Sequence, residues 1–246
     1  MQEVWGSSPH GSTNIHINEV RTFNLVFCYN KPNEKLHGTE KTALIMMIIS
    51  GVLLAAAFVL AYLVKNSKKL KKGSDLKQTL GDACGVLMAF SLFVFLDSAL
   101  QRIMGNSFYQ LWQTGSIAPW QFVAAGAMQG IIYEYVGQFT FPLWIYPAAE
   151  RRRYLLLGLP LFWGIYMLVM QDTWAIVRHV GVPFVAAIFV VALIQYVIIE
   201  GFNLWSNSWN YKGPYERAPA LYGGWIILTL TFVVAYNHFI ASPFGY

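Results

Sequence analysis

Charge is scarce in this chain. Of its 246 residues, 12% are Asp, Glu, Lys or Arg and 56% are hydrophobic. A soluble domain carries about 25% charged residues, so this chain has about half of what a water-facing surface needs. That shortage argues against an ordinary soluble enzyme, and the apolar content argues against disorder, a collagen or a disulfide scaffold. The two cysteines, Cys28 and Cys84, cannot supply a disulfide framework or a four-ligand zinc site. The five histidines are His10, His16, His37, His179 and His238, three in the amino-terminal stretch and two near the ends of apolar runs. None lies centrally in an apolar run, and no HxxxH or HExxH spacing occurs in one. Di-iron and copper chemistry, which need several imidazoles, are therefore disfavoured, as is a haem held between paired histidines. No metal and no cofactor are expected. The last apolar run has no lysine for a retinal Schiff base. The net charge of +5 sits in short loops rather than in one basic patch, so no nucleic-acid partner is expected.

What is present is a series of apolar runs of membrane length. Residues 1–42 read as a polar tail, and 43–246 as a transmembrane helical domain. No basic stretch leads into a short apolar run at the amino terminus, as a signal peptide would require. The first span is Ala43–Val64, followed by Lys65, Lys68, Lys69, Lys71, Lys72 and Lys77. Lysines in such number beside a span mark the cytoplasmic side. Further spans are read at Leu80–Leu100, Ile117–Gly137, Tyr154–Met170, Val180–Ile199 and Tyr222–Ile240. Gln138–Pro147 is expected to be irregular, because Pro142 and Pro147 interrupt it. Gln171–Arg178 reads as a tight outer turn. The fold class is thus an all-α polytopic transmembrane bundle of about six spans with both termini outside, in the cell membrane. This topology separates Cys28 from Cys84, so no disulfide between them is expected.

Ionisable groups within spans cost at least about 2.5–3.5 kcal/mol near the bilayer centre, so each needs a reason. Four acids qualify: Asp82, Asp97, Glu134 and Glu200. Glu134 is the deepest, between Tyr133 and Tyr135. A carboxyl facing an apolar cavity suits general-acid chemistry, while the bland alternative is a carboxyl bonded to a neighbouring helix. Glu200 ends the fifth span, with Asn203 and Asn207 at helical spacing. Asp97 and Arg102 read as a structural ion pair, and Asp82 as a helix-start acid favoured by the helix dipole.

One pattern occurs twice. Glu134 is followed by Gly137 and then by Trp144-Ile145-Tyr146-Pro147. Glu200 is followed by Gly201, then by Trp209-Asn210-Tyr211 and Pro214. Each is an acid with a W-x-Y motif about ten residues downstream, and the two copies are expected to face one cavity. An interfacial aromatic belt would also place Trp and Tyr there.

The stretch Trp209–Trp225 (WNYKGPYERAPALYGGW) resembles membrane carotenoid hydratases and lycopene-cyclase-like proteins. The resemblance rests on Trp209, Tyr211, Gly213, Tyr215, Pro219, Gly224 and Trp225, and upstream on EYVGQFTFPLWIY. It covers about a sixth of the chain. The family's acid-proline pair is missing; Asn203, Leu204 and Trp205 stand in its place. The resemblance implies proton addition to an apolar isoprenoid-type lipid, by cyclisation or hydration. The catalytic candidates are then Glu134 and Glu200. Tyr133, Tyr135, Trp144, Asn203, Trp209 and Tyr211 are candidates for holding substrate, with aromatic faces stabilising a cation. Two other classes remain open. One is a non-catalytic subunit of a respiratory or oxygenase complex with membrane-protein partners. The other is a small-molecule transporter.

Overall fold

The computed structural model describes residues 35–70, 74–115, 119–146, 152–206, 208–239 and 244. Cys28, Asn207 and most of the tail lie outside them. The described chain is helical apart from one short ribbon. Its elements are α1 (Lys35–Asn66), α2 (Asp75–Met104), α3 (Phe108–Gln113), α4 (Pro119–Tyr135), α5 (Arg152–His179), α6 (Phe184–Ser206) and α7 (Ala218–Thr229). The strands are β1 (Trp144–Ile145) and β2 (Asn210–Tyr211), and π turns at Val136–Thr140 and Leu230–Ala235, a 3₁₀ turn at Gly213–Glu216 and a last helical turn at Tyr236–Phe239 complete the list. Cys84 is a buried free thiol.

Among the described residues, four helical segments are long and apolar enough to cross a membrane: Glu40–Asn66, Thr79–Met104, Phe184–Ser206 and Ala218–His238. They fit an integral membrane protein. Much of α1 remains uncovered by protein, with Ile45, Ile48, Ile49 and Val52 all exposed. Such an apolar face is at home against lipid and unfavourable in water. α1 begins at Lys35, inside the stretch read as tail, because apolar residues from Ala43 onward carry the helix back through a few polar turns.

α5 is the centre of the bundle. It packs against α2, α4 and α6, and against the π turn Leu230–Ala235 that continues α7. Tyr166, Met167, Val169 and Met170 on it are fully buried. One expectation fails here. Gln171–Arg178 is not a turn, because α5 runs unbroken to His179. The polar run Gln171-Asp172-Thr173 suggests solvent, yet all three side chains are buried. Helix partners take up two of them: Gln171 donates to the Phe232 carbonyl, and Thr173 accepts from Gln195 of α6.

Two smaller expectations also change. Asp97 is not committed to Arg102. Its carboxylate accepts the backbone N–H groups of Phe108 (2.6 Å) and Tyr109 (3.3 Å), fastening the start of α3 to α2. Asp82 is not at a helix start, because α2 begins at Asp75 with Ser74 as its cap.

Three loops expected on one side do gather at one end. Lys65 at the end of α1 donates to the Leu204 carbonyl at the end of α6. β1 pairs with β2, bringing the loop after α4 to the loop after α6. If α2 spans the bilayer, cysteines placed at Lys68 and Thr114 should react with impermeant thiol reagents from opposite sides. Labelling of both from one side would remove α2 as a span.

Candidate functional site

The α4–α5 crossing sets the geometry. α4 carries Gly126 and Gly130, four apart on one face, and α5 carries Gly164. A Cβ at Gly130 would fall 2.3 Å from Trp163, and one at Gly164 would fall 2.8 Å from Val123. Small residues let two helix backbones approach closely where no water is available to drive them together. This contact lays the Trp163 indole beside Glu134 at the end of α4.

Directly after Tyr135 the helix widens into a π turn, Val136–Thr140. Pro142 then ends helical structure, as its position in the sequence suggests. The chain turns back into β1, and the Trp144 ring lies over Gly137, where a Cβ would fall 2.0 Å from it. Only glycine permits that overlap.

Glu134 consequently sits in a cage of donors. Its Oε2 accepts from Gln138 Nε2 at 2.7 Å and from Trp144 Nε1 at 3.0 Å. Its Oε1 accepts from the Tyr146 hydroxyl at 2.9 Å and from Trp163 Nε1 at 3.0 Å. Four donors match the acceptor capacity of a carboxylate, which has no proton of its own to give.

Glu200 repeats the arrangement. Its Oε1 accepts from the Tyr211 hydroxyl at 2.7 Å and from Trp225 Nε1 at 3.0 Å. Trp209 Nε1 in turn donates to the Tyr211 hydroxyl at 2.8 Å. The repeated pattern thus extends beyond W-x-Y: each acid takes its tyrosine and a tryptophan from the following helix. The two motifs also meet, because β1 and β2 pair antiparallel with Trp144 opposite Tyr211 and Ile145 opposite Asn210. Lys212 N–H donates to the Leu143 carbonyl at 2.7 Å and extends the ribbon.

Burial and the neighbouring Glu134 carboxylate push the Tyr146 hydroxyl well above the ordinary tyrosine range. Burial and Glu200 do the same to Tyr211. Both hydroxyls therefore keep their protons and remain available as donors.

A cavity of about 480 Å³ opens beside the ribbon. Its walls are mainly apolar and aromatic, from α2, α4, α5, α6 and α7. Glu134, Tyr146, Trp144, Trp163 and Asp82 line it. Glu200 does not line it, although its donors Tyr211 and Trp225 do.

Of the residues expected to hold substrate, Tyr133, Trp144, Trp209 and Tyr211 all line this cavity. Tyr133 also bonds Thr231 at 2.7 Å and stacks on Phe232, the residue that Trp163 stacks on as well. Tyr135 points away, exposed and against Phe139. Asn203 lies outside the lining and clamps the backbone of Trp209, accepting its N–H and donating to its carbonyl, both at 3.1 Å. It positions the second motif rather than facing the cavity.

Sequence reasoning missed Trp163, Tyr146, Gln138 and Asp82 as members of the site. Tyr146 was within reach as the second half of the first W-x-Y motif. The Gly126–Gly130 spacing is the signal that would have predicted a close partner helix, though not which residue of that helix meets Glu134. No family model, curated protein or solved structure matches this chain.

Proposed function

We propose that the chain is a membrane-embedded enzyme that adds a proton to an apolar isoprenoid-type lipid, leading to cyclisation or hydration. The observation that carries the reading is an acid caged by aromatic donors that opens on an apolar cavity. Addition of a proton to a carbon–carbon double bond leaves a carbocation. Attack by a second double bond of the same molecule closes a ring and moves the charge, and loss of a neighbouring proton then completes a cyclisation; attack by water with loss of a proton completes a hydration. The faces of Trp144, Trp163 and Tyr133 are suited to stabilise the cation.

The cage constrains how a proton is held. Indole N–H groups donate only, so Trp144 and Trp163 cannot accept from a protonated Glu134. Tyr146 can, by rotating its hydroxyl, and so can Gln138, by turning its amide, but of the two Tyr146 lines the cavity. The proton therefore belongs on the Glu134 oxygen that faces Tyr146. The test is to supply an acyclic polyene to the protein in lipid nanodiscs in deuterated water. Product carrying one solvent-derived deuterium is expected, and Tyr146→Phe should reduce its yield strongly while sparing the melting temperature. Absence of any product and of any extractable bound lipid would overturn the reading.

A second reading, a non-catalytic integral subunit of a membrane complex, is favoured by the same saturation of Glu134. A carboxylate with all its acceptor sites filled is what a structural clamp requires. Stable partner subunits surviving mild detergent, with no lipid turnover, would favour it.

A further inference from the structure

Another buried acid lies well away from the aromatic cavity. Asp172 is 0% exposed, and both its carboxyl oxygens are without a hydrogen-bond partner. It stands nine residues beyond Trp163 on α5, about 13 Å along the helix at about 1.5 Å per residue.

The neighbours fix where it points. Gln171 turns to the Phe232 carbonyl in the π turn after α7. Thr173 is bonded to Gln195 of α6. Successive helical residues are about 100° apart, so Asp172 projects between those two directions. α2 packs on α5, and Asp97 lies fifteen residues beyond the cavity-lining Asp82 on α2, so Asp97 and Asp172 both sit toward the end of the bundle away from the ribbon. Asp97 is itself buried, and it is held by the N–H groups of Phe108 and Tyr109.

The acids of α4 and α6 are engaged at the ribbon end. From α4, Glu134 is in its donor cage, and from α6, Glu200 is bonded to Tyr211 and Trp225, both at the ribbon end. The π turn Leu230–Ala235 has no titratable residue, and Tyr236 and His238 follow it. On α5 itself, Arg178 Nη1 donates to the Val182 carbonyl at 2.7 Å, and His179 ends the helix. Arg102 lies beyond Asp97 at the end of α2.

An ionised carboxylate stripped of water and without donors is among the costliest groups to bury, and such a group neutralises instead. Two acids sharing one interior cannot both be charged cheaply. We propose that Asp172 and Asp97 form a proton-holding carboxyl pair between α2 and α5. Asp97, with its two backbone donors, is the ionised member, and Asp172 carries the proton. The ligand of this site is a proton, not a metal cation or a substrate carboxylate. The assignment is independent of the isoprenoid reading, because no residue of the aromatic cavity takes part.

The test uses dicyclohexylcarbodiimide on the full chain in nanodiscs at neutral pH. This apolar reagent reacts with protonated carboxyl groups in water-poor surroundings, and the adduct is mapped by mass spectrometry. Label is expected on Asp172, with Asp97 and the exposed Glu216 unlabelled. It should fall as pH is raised and the proton is lost. Asp172→Asn should lose that label and one carboxylic-acid C=O band in the infrared, while keeping its melting temperature, because an amide is as neutral as the acid it replaces. Asp97→Asn should move the loss of label to lower pH, since the neighbouring negative charge no longer favours the protonated form of Asp172. No label on Asp172 in the unaltered protein would overturn the assignment. Protection of Asp172 by sodium at constant pH would also overturn it, in favour of a cation site.

Discussion

Glu134→Leu should lower the stability of the protein by about 4 kcal/mol or more. The side chain removed is the shared acceptor of Trp144, Tyr146, Trp163 and Gln138. Gln138 has a route to solvent through its flexible stem. The buried Trp163 indole does not, Trp144 and Tyr146 are half-buried, and each buried donor left without an acceptor costs about 1–3 kcal/mol. Losses above about 4 kcal/mol are exceptional for a single substitution and point to a network of this kind. Glu134→Gln is the informative comparison. From the sequence alone this change is expected to leave the fold intact while stopping proton delivery. The cage alters that expectation, because the amide NH₂ faces donors whichever way it is turned. Toward Tyr146 and Trp163 it meets one group able to accept and one that cannot. A loss of about 1–3 kcal/mol should therefore accompany any loss of turnover. Thermal melts followed by tryptophan emission separate the two effects, since Trp144 and Trp163 report directly on the missing acceptor. A melting temperature unchanged in both variants would show that the cage contributes nothing to stability.

Gly130→Ala should be more damaging than its size suggests. The new methyl would fall 2.3–2.4 Å from three Trp163 atoms, including Cβ, which cannot swing aside without moving α5. Overpacking a fitted core costs about 1–3 kcal/mol, and more where backbone must move. The displacement also carries the Trp163 indole away from Glu134, so activity should fall further than stability. Gly223→Ala is the control. Nothing lies within 4 Å of its Cβ, so it should be neutral or slightly stabilising. Equal melting temperatures for the two variants would mean that α4 and α5 do not pack as closely as described.

The apolar segments and the two acid-aromatic motifs were legible in the sequence for different reasons. A span declares itself through composition, because lipid imposes one requirement on every residue facing it. Glu134 and Glu200 stood out because a charge in such surroundings is rare, and the repeated W-x-Y supplied a second signal. Trp163 and Trp225 as donors depend on which helices touch, and one tryptophan among apolar neighbours does not announce its partner. The same blindness explains the misreading of Gln171–Arg178. Polar residues in a row look like a solvated turn, yet Gln171 Nε2 donates to the Phe232 carbonyl and Thr173 accepts from Gln195, 61 and 22 residues away. Asp82 was legible as a charge but not as a wall of the cavity, since its place depends on α2 beginning earlier than hydropathy suggested.

The ribbon constrains chain length as well as chemistry. Side chains alternate faces along a strand, so Trp144 and Tyr146 share one side of β1's path, as Trp209 and Tyr211 share one side of β2's. With Trp144 opposite Tyr211, the exposed positions are Ile145 and Asn210. A shift of one residue in a paired strand turns every side chain to the opposite face. A single insertion between Glu134 and Trp144 would therefore present Ile145 to the interior and withdraw Trp144 and Tyr146 from Glu134 together. The slip would also pull at Tyr211 and hence at Glu200, on the far half of the bundle. Ile145 and Asn210 are free to change identity at little cost. The loops joining each acid to its W-x-Y motif are held to their length unless both change in step, and within them Gly137, Gln138 and Asn203 are also held to their identity.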